Sequence, residues 1–258
     1  VSEVKMSLEG PANEWLVKFR PVPDPSARVF CLPHAGAGAQ MFRSWAVRLP
    51  IDIELCSVRL PGRERRIAER PLCDFGLAVS SIADAITSAA DRPIVLAGHC
   101  SGAYLAFELA HLLHARGESP PILLFVTGQE SPRHHRGGDD FHRKPFPQML
   151  ADLVETGGID PELAADTEMM SLIEPTLRAD FEMLSGYSFI PRHPLSVPIS
   201  VVAGADDGEV DVCKALDWRL ETTADFTLRV VAGDHFFVQS APDDVCRRLA
   251  ADIRGCLE

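Results

Sequence analysis

The pentapeptide Gly98-His99-Cys100-Ser101-Gly102 lies between the apolar run Ile94-Val95-Leu96-Ala97 and the helix-like stretch Ala103 to Arg116. A chain that must leave a buried strand and enter a helix over about five residues has few backbone routes, and glycine at both outer positions permits the tight path and close packing required. Such a turn lifts its middle residue clear of the sheet. Here that residue is cysteine, whose thiolate is a strong nucleophile, so covalent acyl chemistry is the first expectation.

The rest of the chain repeats the same alternation. Val29-Phe30-Cys31-Leu32 reads as a buried strand, followed by the Gly-rich loop Pro33-His34-Ala35-Gly36-Ala37-Gly38 and a helix over Gln40 to Leu49. Further strands are predicted at Ile53 to Val58, Ile94 to Ala97, Ile122 to Thr127, Ile199 to Ala203 and Phe226 to Val231. Helices are predicted over Gly76 to Ala90, Ser101 to Arg116, Val212 to Glu221 and Pro242 to Leu257. Short apolar runs alternating with amphipathic helices imply an α/β fold, a mostly parallel sheet wrapped on both faces. From Ser131 to about Tyr187 the rhythm breaks, with helical segments such as Phe146 to Glu155 and Glu168 to Leu184 and no strand. The expected organisation is a polar N-terminal extension over 1–26, its first dozen residues loosely held, and one domain over 27–258 with an insertion at about 131–187.

Composition excludes several functions. A chain of 258 residues that is 46% hydrophobic and 24% charged buries a sizeable core. The net charge of -12 argues against a general nucleic-acid binder, which needs a basic face. Two local basic clusters stand out, Arg59, Arg63, Arg65, Arg66 and Arg70 around Pro61-Gly62, and Arg133, His134, His135 and Arg136. Each reads either as solvated surface or as a docking patch for an acidic or phosphorylated partner. The cysteines at 31, 56, 73, 100, 213, 246 and 256 have neither zinc nor disulfide-framework spacing. With no signal pattern and no apolar stretch near ~18 residues, the expectation is a cytoplasmic protein with no membrane association, metal or redox cofactor, and monomeric.

A nucleophile raised above a sheet needs a base, and the base an orienting group. Where a nucleophile sits on this kind of turn, the acid and the histidine follow it in that order, each in a loop after a later strand. Gly204-Ala205-Asp206-Asp207 follows one predicted strand and Gly233-Asp234-His235 follows the next. The base is therefore His235, and the acid is Asp207 or Asp206. Two adjacent aspartates cannot both face one imidazole, and the spacing Gly204-x-x-Asp207-x-x-Val210 resembles the acid turn of folds built this way, a resemblance that favours Asp207 over Asp206. Oxyanion donors are expected at the Ser101 N–H and, from the loop after the first strand, the Ala35 N–H with Gly36 as neighbour. His99 and His34 read as structural hydrogen-bonding groups, the His99 side chain directed away from the reacting centre.

These residues resemble a known family, the stand-alone type II thioesterases that accompany polyketide synthases and nonribosomal peptide synthetases, within the α/β-hydrolase superfamily. The similarity runs from about Phe30 to Phe237. Its blocks are Leu32-Pro33-His34-Ala35-Gly36, Phe42-Arg43-Ser44-Trp45, Leu60-Pro61-Gly62-Arg63-Glu64, Gly98-His99-Cys100-Ser101-Gly102-Ala103, Leu105-Ala106-Phe107-Glu108-Leu109-Ala110, Arg178-Ala179-Asp180-Phe181 and Gly233-Asp234-His235-Phe236-Phe237. The resemblance implies an α/β-hydrolase fold and hydrolysis of acyl groups from the phosphopantetheine arm of an acyl or peptidyl carrier protein. It also implies that the insertion is a lid whose Met149, Leu150, Leu153, Met169, Met170, Leu172, Ile173, Leu177, Phe181 and Leu184 either line an acyl chamber or simply pack the lid helices. The departure is Cys100, where the family usually carries serine. It is open to three explanations: hydrolysis through a thiol-linked intermediate, shuttling of acyl or aminoacyl groups between carrier proteins, and an introduced Ser→Cys change. A non-catalytic interaction subunit is disfavoured by retention of nucleophile, acid and base.

Overall fold

The strand runs read from the sequence assemble into one sheet. The computed structural model describes residues 12–138 and 140–258. Its strands are β1 (Leu16–Lys18), β2 (Ala27–Leu32), β3 (Ile53–Val58), β4 (Ile94–His99), β5 (Leu123–Thr127), β6 (Ile199–Gly204) and β7 (Phe226–Val231). They lie in the order β1-β3-β2-β4-β5-β6-β7, every neighbouring pair parallel except β1 with β3. This is the mostly parallel α/β-hydrolase sheet that the resemblance implies.

Strand periodicity divides the core in two, because successive side chains point to opposite faces. Phe30 and Leu32 of β2 and Leu96 of β4 join one cluster, with Val79 and Ile82 of the Phe75–Thr87 helix and Leu105 and Leu109 of the Ser101–Ala115 helix. Val29 and Cys31 of β2 and Val95 and Ala97 of β4 join the other, with Trp45, Phe237 and the Leu249 and Ile253 stripe of the Pro242–Leu257 helix. Both faces are therefore covered, as parallel sheets require.

Three differences from the sequence reading have physical causes. The stretch read as an N-terminal extension supplies the antiparallel edge strand β1, whose three residues, one a lysine, are too few for a strand pattern; its first eleven residues lie outside those described. The helix expected over Gln40 to Leu49 is a 3₁₀ turn, Ala39–Phe42, followed by Arg43–Ala46. Arg59, Arg63 and Arg66 are buried rather than displayed. Arg66 meets Glu69 and the Arg59 carbonyl and stacks over Trp15, Arg59 donates to the Glu14 carbonyl, and Arg63 grips Asp180. A guanidinium goes inside only where acceptors surround it, and the partners of Arg63 and Arg59 are far away in sequence.

Between β5 and β6 the described residues form helices, Phe146–Glu155, Pro161–Ala164 and Thr167–Ser185, and short 3₁₀ turns. Met149, Ile159 and Leu177 centre a third apolar cluster with Phe141, Phe146, Leu150, Leu153, Ile173 and Phe181 packed around them. Met169 and Leu172 are exposed, Met170 is buried, and Leu184 packs on the main core. Among the described residues no helix is long and apolar enough to cross a membrane.

The turn from β4 into the Ser101–Ala115 helix is packed to the limit. A β-carbon on Gly98 would stand 2.3 Å from the Gly102 carbonyl oxygen, and one on Gly102 would stand 2.2 Å from the Leu32 carbonyl oxygen. Cys100 takes φ 50° and ψ -127°, a conformation that L-residues avoid and glycine tolerates. Strain of this kind costs about 1–3 kcal/mol. Cys100→Gly should therefore be more stable than Cys100→Ala by about 1 kcal/mol, reversing the usual order in which glycine is the poorer residue. Denaturant unfolding of the two variants measures the gap, and an alanine variant at least as stable as the glycine one would show the turn to be unstrained.

Candidate active site

Two loops at the carboxyl ends of later strands bring side chains to the Cys100 turn. The backbone N–H of Cys100 donates to the Thr127 carbonyl of β5 at 2.9 Å, and the Cys100 carbonyl accepts from Ala103 N–H at 2.8 Å, opening the helix. These two bonds fix the backbone on either side of the sulfur. The loop after β6 brings Asp207 and the loop after β7 brings His235, with Nδ1 of His235 2.9 Å from Oδ2 of Asp207. The other Asp207 oxygen accepts the Glu209 N–H at 2.9 Å. The Asp207 side chain is wholly buried beside its imidazole, whereas Asp206 is exposed.

Burial works against a charge on His235, yet hydrogen bonds to Asp207 and Cys100, together with their charges, raise its pKa from 6.5 to about 10. Two other imidazoles nearby are held neutral. Burial takes His34 down to about 4 and His99 well below the ordinary histidine value. Of the three clustered rings only His235 is held towards its charged form, and the other two form a neutral wall beside it.

That wall differs from the sequence reading. His99 Nδ1 does bond at 3.2 Å to both the Thr127 carbonyl and hydroxyl, but its ring lies 5.1 Å from the His235 ring rather than directed away from it. Phe236 packs edge-on to both His34 and His235. Gly128, just after β5, leaves the room for this: a β-carbon there would stand 2.7 Å from His99 and 3.5 Å from His235. The signal for Phe236 was its place in the Gly-Asp-His-Phe-Phe block, while a lone glycine after a strand carried none.

A thioesterase domain model matches residues 27–253. The chain belongs to the thioesterase domain family. It is 32% identical over 250 residues to the gramicidin S biosynthesis protein GrsT of Aneurinibacillus migulanus, covering 96% of this chain and 97% of that protein. Among solved structures it is similar to the type II thioesterase BorB from the borrelidin biosynthetic cluster, with a TM-score of 0.83 and 28% identity over 94% of this chain and 97% of that one. YbtT, a type II thioesterase from the yersiniabactin NRPS/PKS pathway, gives the same score and identity over 95% of this chain and all of that one.

In this thioesterase-family chain the oxyanion-loop expectation acquires a complication. Ala35 N–H donates at 2.8 Å to the Ser101 hydroxyl, so one of the two expected donors is already engaged. The Ser101 N–H, in the first turn of its helix, has no carbonyl four residues back to bond. A cavity of about 810 Å³ lined by Phe75, Val79, Glu108, His111, Tyr187 and Arg192 includes neither Cys100 nor His235. The site is defined by its chemistry rather than by that cavity.

The raised pKa of His235 carries a sign. A folded value of about 10 against an ordinary 6.5 means that the folded protein binds an extra proton between them. The associated stabilisation is complete below pH about 6.5 and disappears as pH rises through about 10. The difference in unfolding midpoint between the unsubstituted protein and Asp207→Asn should therefore be largest near pH 6 and shrink towards about pH 10. A difference that grows with pH would mean that His235 is not held charged by Asp207.

Proposed function

We propose that this chain hydrolyses acyl thioesters presented on the phosphopantetheine arm of acyl or peptidyl carrier proteins in polyketide or nonribosomal peptide biosynthesis, through an acyl-enzyme on Cys100. The observation that carries the reading is the grouping of His235 and Asp207, from the loops after β7 and β6, with Cys100 on its strained turn, in a chain of the thioesterase family. The pathway follows from similarity to proteins named for such biosyntheses. No cofactor enters the proposed steps.

The Cys100 sulfur attacks the thioester carbonyl, and the oxyanion is held by the Ser101 N–H and by the Ala35 N–H once the Ser101 hydroxyl releases it. Collapse breaks the bond to the pantetheine sulfur, which leaves as a thiol with the proton of His235. Acylation then removes the Cys100 contact that helps to raise the His235 pKa. The imidazole is thereby prepared to stay neutral and take a proton from water. That water attacks the acyl carbonyl, the second tetrahedral intermediate expels the Cys100 sulfur, and the proton returns to it from His235. The free acid leaves. Asp207 holds the ring in one tautomer throughout.

Cysteine itself favours a second reading, transfer between carriers. Passing an acyl group from a pantetheine thiol to Cys100 exchanges one thioester for another and nearly conserves transfer potential, so a second pantetheine thiol could replace water. One assay separates the two: a carrier loaded with radiolabelled acyl or aminoacyl groups, incubated with an empty second carrier. Label released as free acid is the expected outcome, and label accumulating on the second carrier would replace hydrolysis by transfer. Cys100→Ala should lower either activity at least about 1,000-fold and abolish the acyl adduct seen on this cysteine by mass spectrometry.

A further inference from the structure

Arg63 and Asp180 lie 117 positions apart and form a buried two-pronged pair, Nη1 to Oδ2 at 2.8 Å and Nη2 to Oδ1 at 2.7 Å. A buried ion pair recovers little net stability once its desolvation is counted, so its presence asks what it positions. The same Asp180 Oδ2 accepts the Gly36 N–H at 2.7 Å, and Arg63 Nη1 donates to the Ala37 carbonyl at 2.7 Å. On the other side of that peptide plane, the Ala35 carbonyl lies 2.9 Å from Nδ1 of His34, the neutral ring that can donate to it. The Ala35–Gly36 peptide is thus held at its N–H by Asp180 and at its C=O by His34.

The next N–H back along the chain is that of Ala35. Its direction depends on the orientation of this peptide plane, because one residue separates the two. Asp180 stands on the Thr167–Ser185 helix, four residues after Thr176, whose hydroxyl donates to the Gly62 carbonyl next to Arg63. Spacing of i and i+4 places both contacts on one helix face. The helix is therefore fastened at two points to the loops that carry Ala35 and Arg63.

We infer that Asp180, locked by Arg63, is a positioning residue that sets the Ala35 donor through the Gly36 N–H and makes its geometry depend on the Thr167–Ser185 helix. This rests on the proposed acyl chemistry for its catalytic consequence and on geometry alone for its structural one. A residue that only stabilised the fold would lose activity in step with the folded fraction. A positioning residue loses turnover in molecules that remain folded.

The test uses Asp180→Asn, Arg63→Met and the apolar pair Arg63→Met with Asp180→Leu, all in the full chain. Apolar replacement of both partners removes the unpaired charge and should restore thermal stability relative to Arg63→Met alone. It cannot restore an acceptor for Gly36 N–H. For the double variant we expect kcat for release of acyl groups from a loaded carrier to fall about 10–100-fold, with KM within about twofold and hydrogen exchange of the peptide spanning 33–38 accelerated. Asp180→Asn should show the same split in milder form. If the double variant recovers kcat together with stability, or if the 33–38 amides keep their protection, Asp180 is not a positioning residue. Should the unsubstituted protein acquire no acyl group on Cys100, the proposed function fails, while the exchange measurement still decides whether Asp180 holds the loop.

Discussion

The contact between the Gly102 α-carbon and the β2 carbonyl of Leu32 governs much of the arrangement around it. No side chain fits there, since even a methyl group would stand 2.2 Å from that oxygen. The helix can therefore begin directly against the end of a strand two positions from Cys100, and Cys100 must absorb the turn at φ 50°. Everything that faces the sulfur is then set by strand order. β5 lies beside β4 and supplies the Thr127 carbonyl to Cys100, while β6 and β7 lie beyond it and deliver Asp207 and His235 on successive loops. Topology, rather than local sequence, makes residues 107 and 135 positions apart into neighbours.

Local features carried most of what could be read in advance. The strands at Ile94 to Ala97 and Ile122 to Thr127 were visible as short apolar runs because a strand buried on both faces leaves an uninterrupted signature, whereas β7, the half-exposed strand at the sheet edge, interleaves Thr227 and Arg229. The Gly98–Gly102 pattern was visible because close packing demands glycine at both ends. Asp207 and His235 were legible through chain order, and the choice of Asp207 over Asp206 agrees with the carboxylate that His235 meets. What stayed hidden depended on partners remote in sequence. Arg63 looks like surface until Asp180 arrives from 117 residues away, and β1 has no pattern of its own without β3 to pair with.

The imidazole cluster shows why burial alone does not determine protonation. His34 and His235 each sit within ring-contact distance of His99, and burial disfavours charge on all three. Only His235 has a carboxylate and a thiol as partners, and only its pKa rises. His99 has a carbonyl and a hydroxyl instead, and His34 a carbonyl. A neutral wall around one charged ring avoids the repulsion that two imidazolium ions about 5 Å apart would feel in a low-dielectric site. Gly128 belongs to the same logic, since a side chain there would force the rings apart.

The Ser101 hydroxyl brings the two remaining threads together. It takes the Ala35 N–H at 2.8 Å, the donor whose neighbouring peptide is held by Asp180 and His34. In the proposed chemistry an incoming carbonyl oxygen must compete with that hydroxyl, so the net gain is an exchange of acceptors rather than the filling of an empty site. An exchange of this kind favours an oxygen carrying full negative charge, because charge-assisted bonds are about twice as strong as neutral ones. The ground-state thioester oxygen would gain little by displacing Ser101, whereas the tetrahedral oxyanion would gain much. Selective stabilisation of the transition state follows from that difference, and it depends on the Ala35 N–H remaining aimed while its acceptor changes.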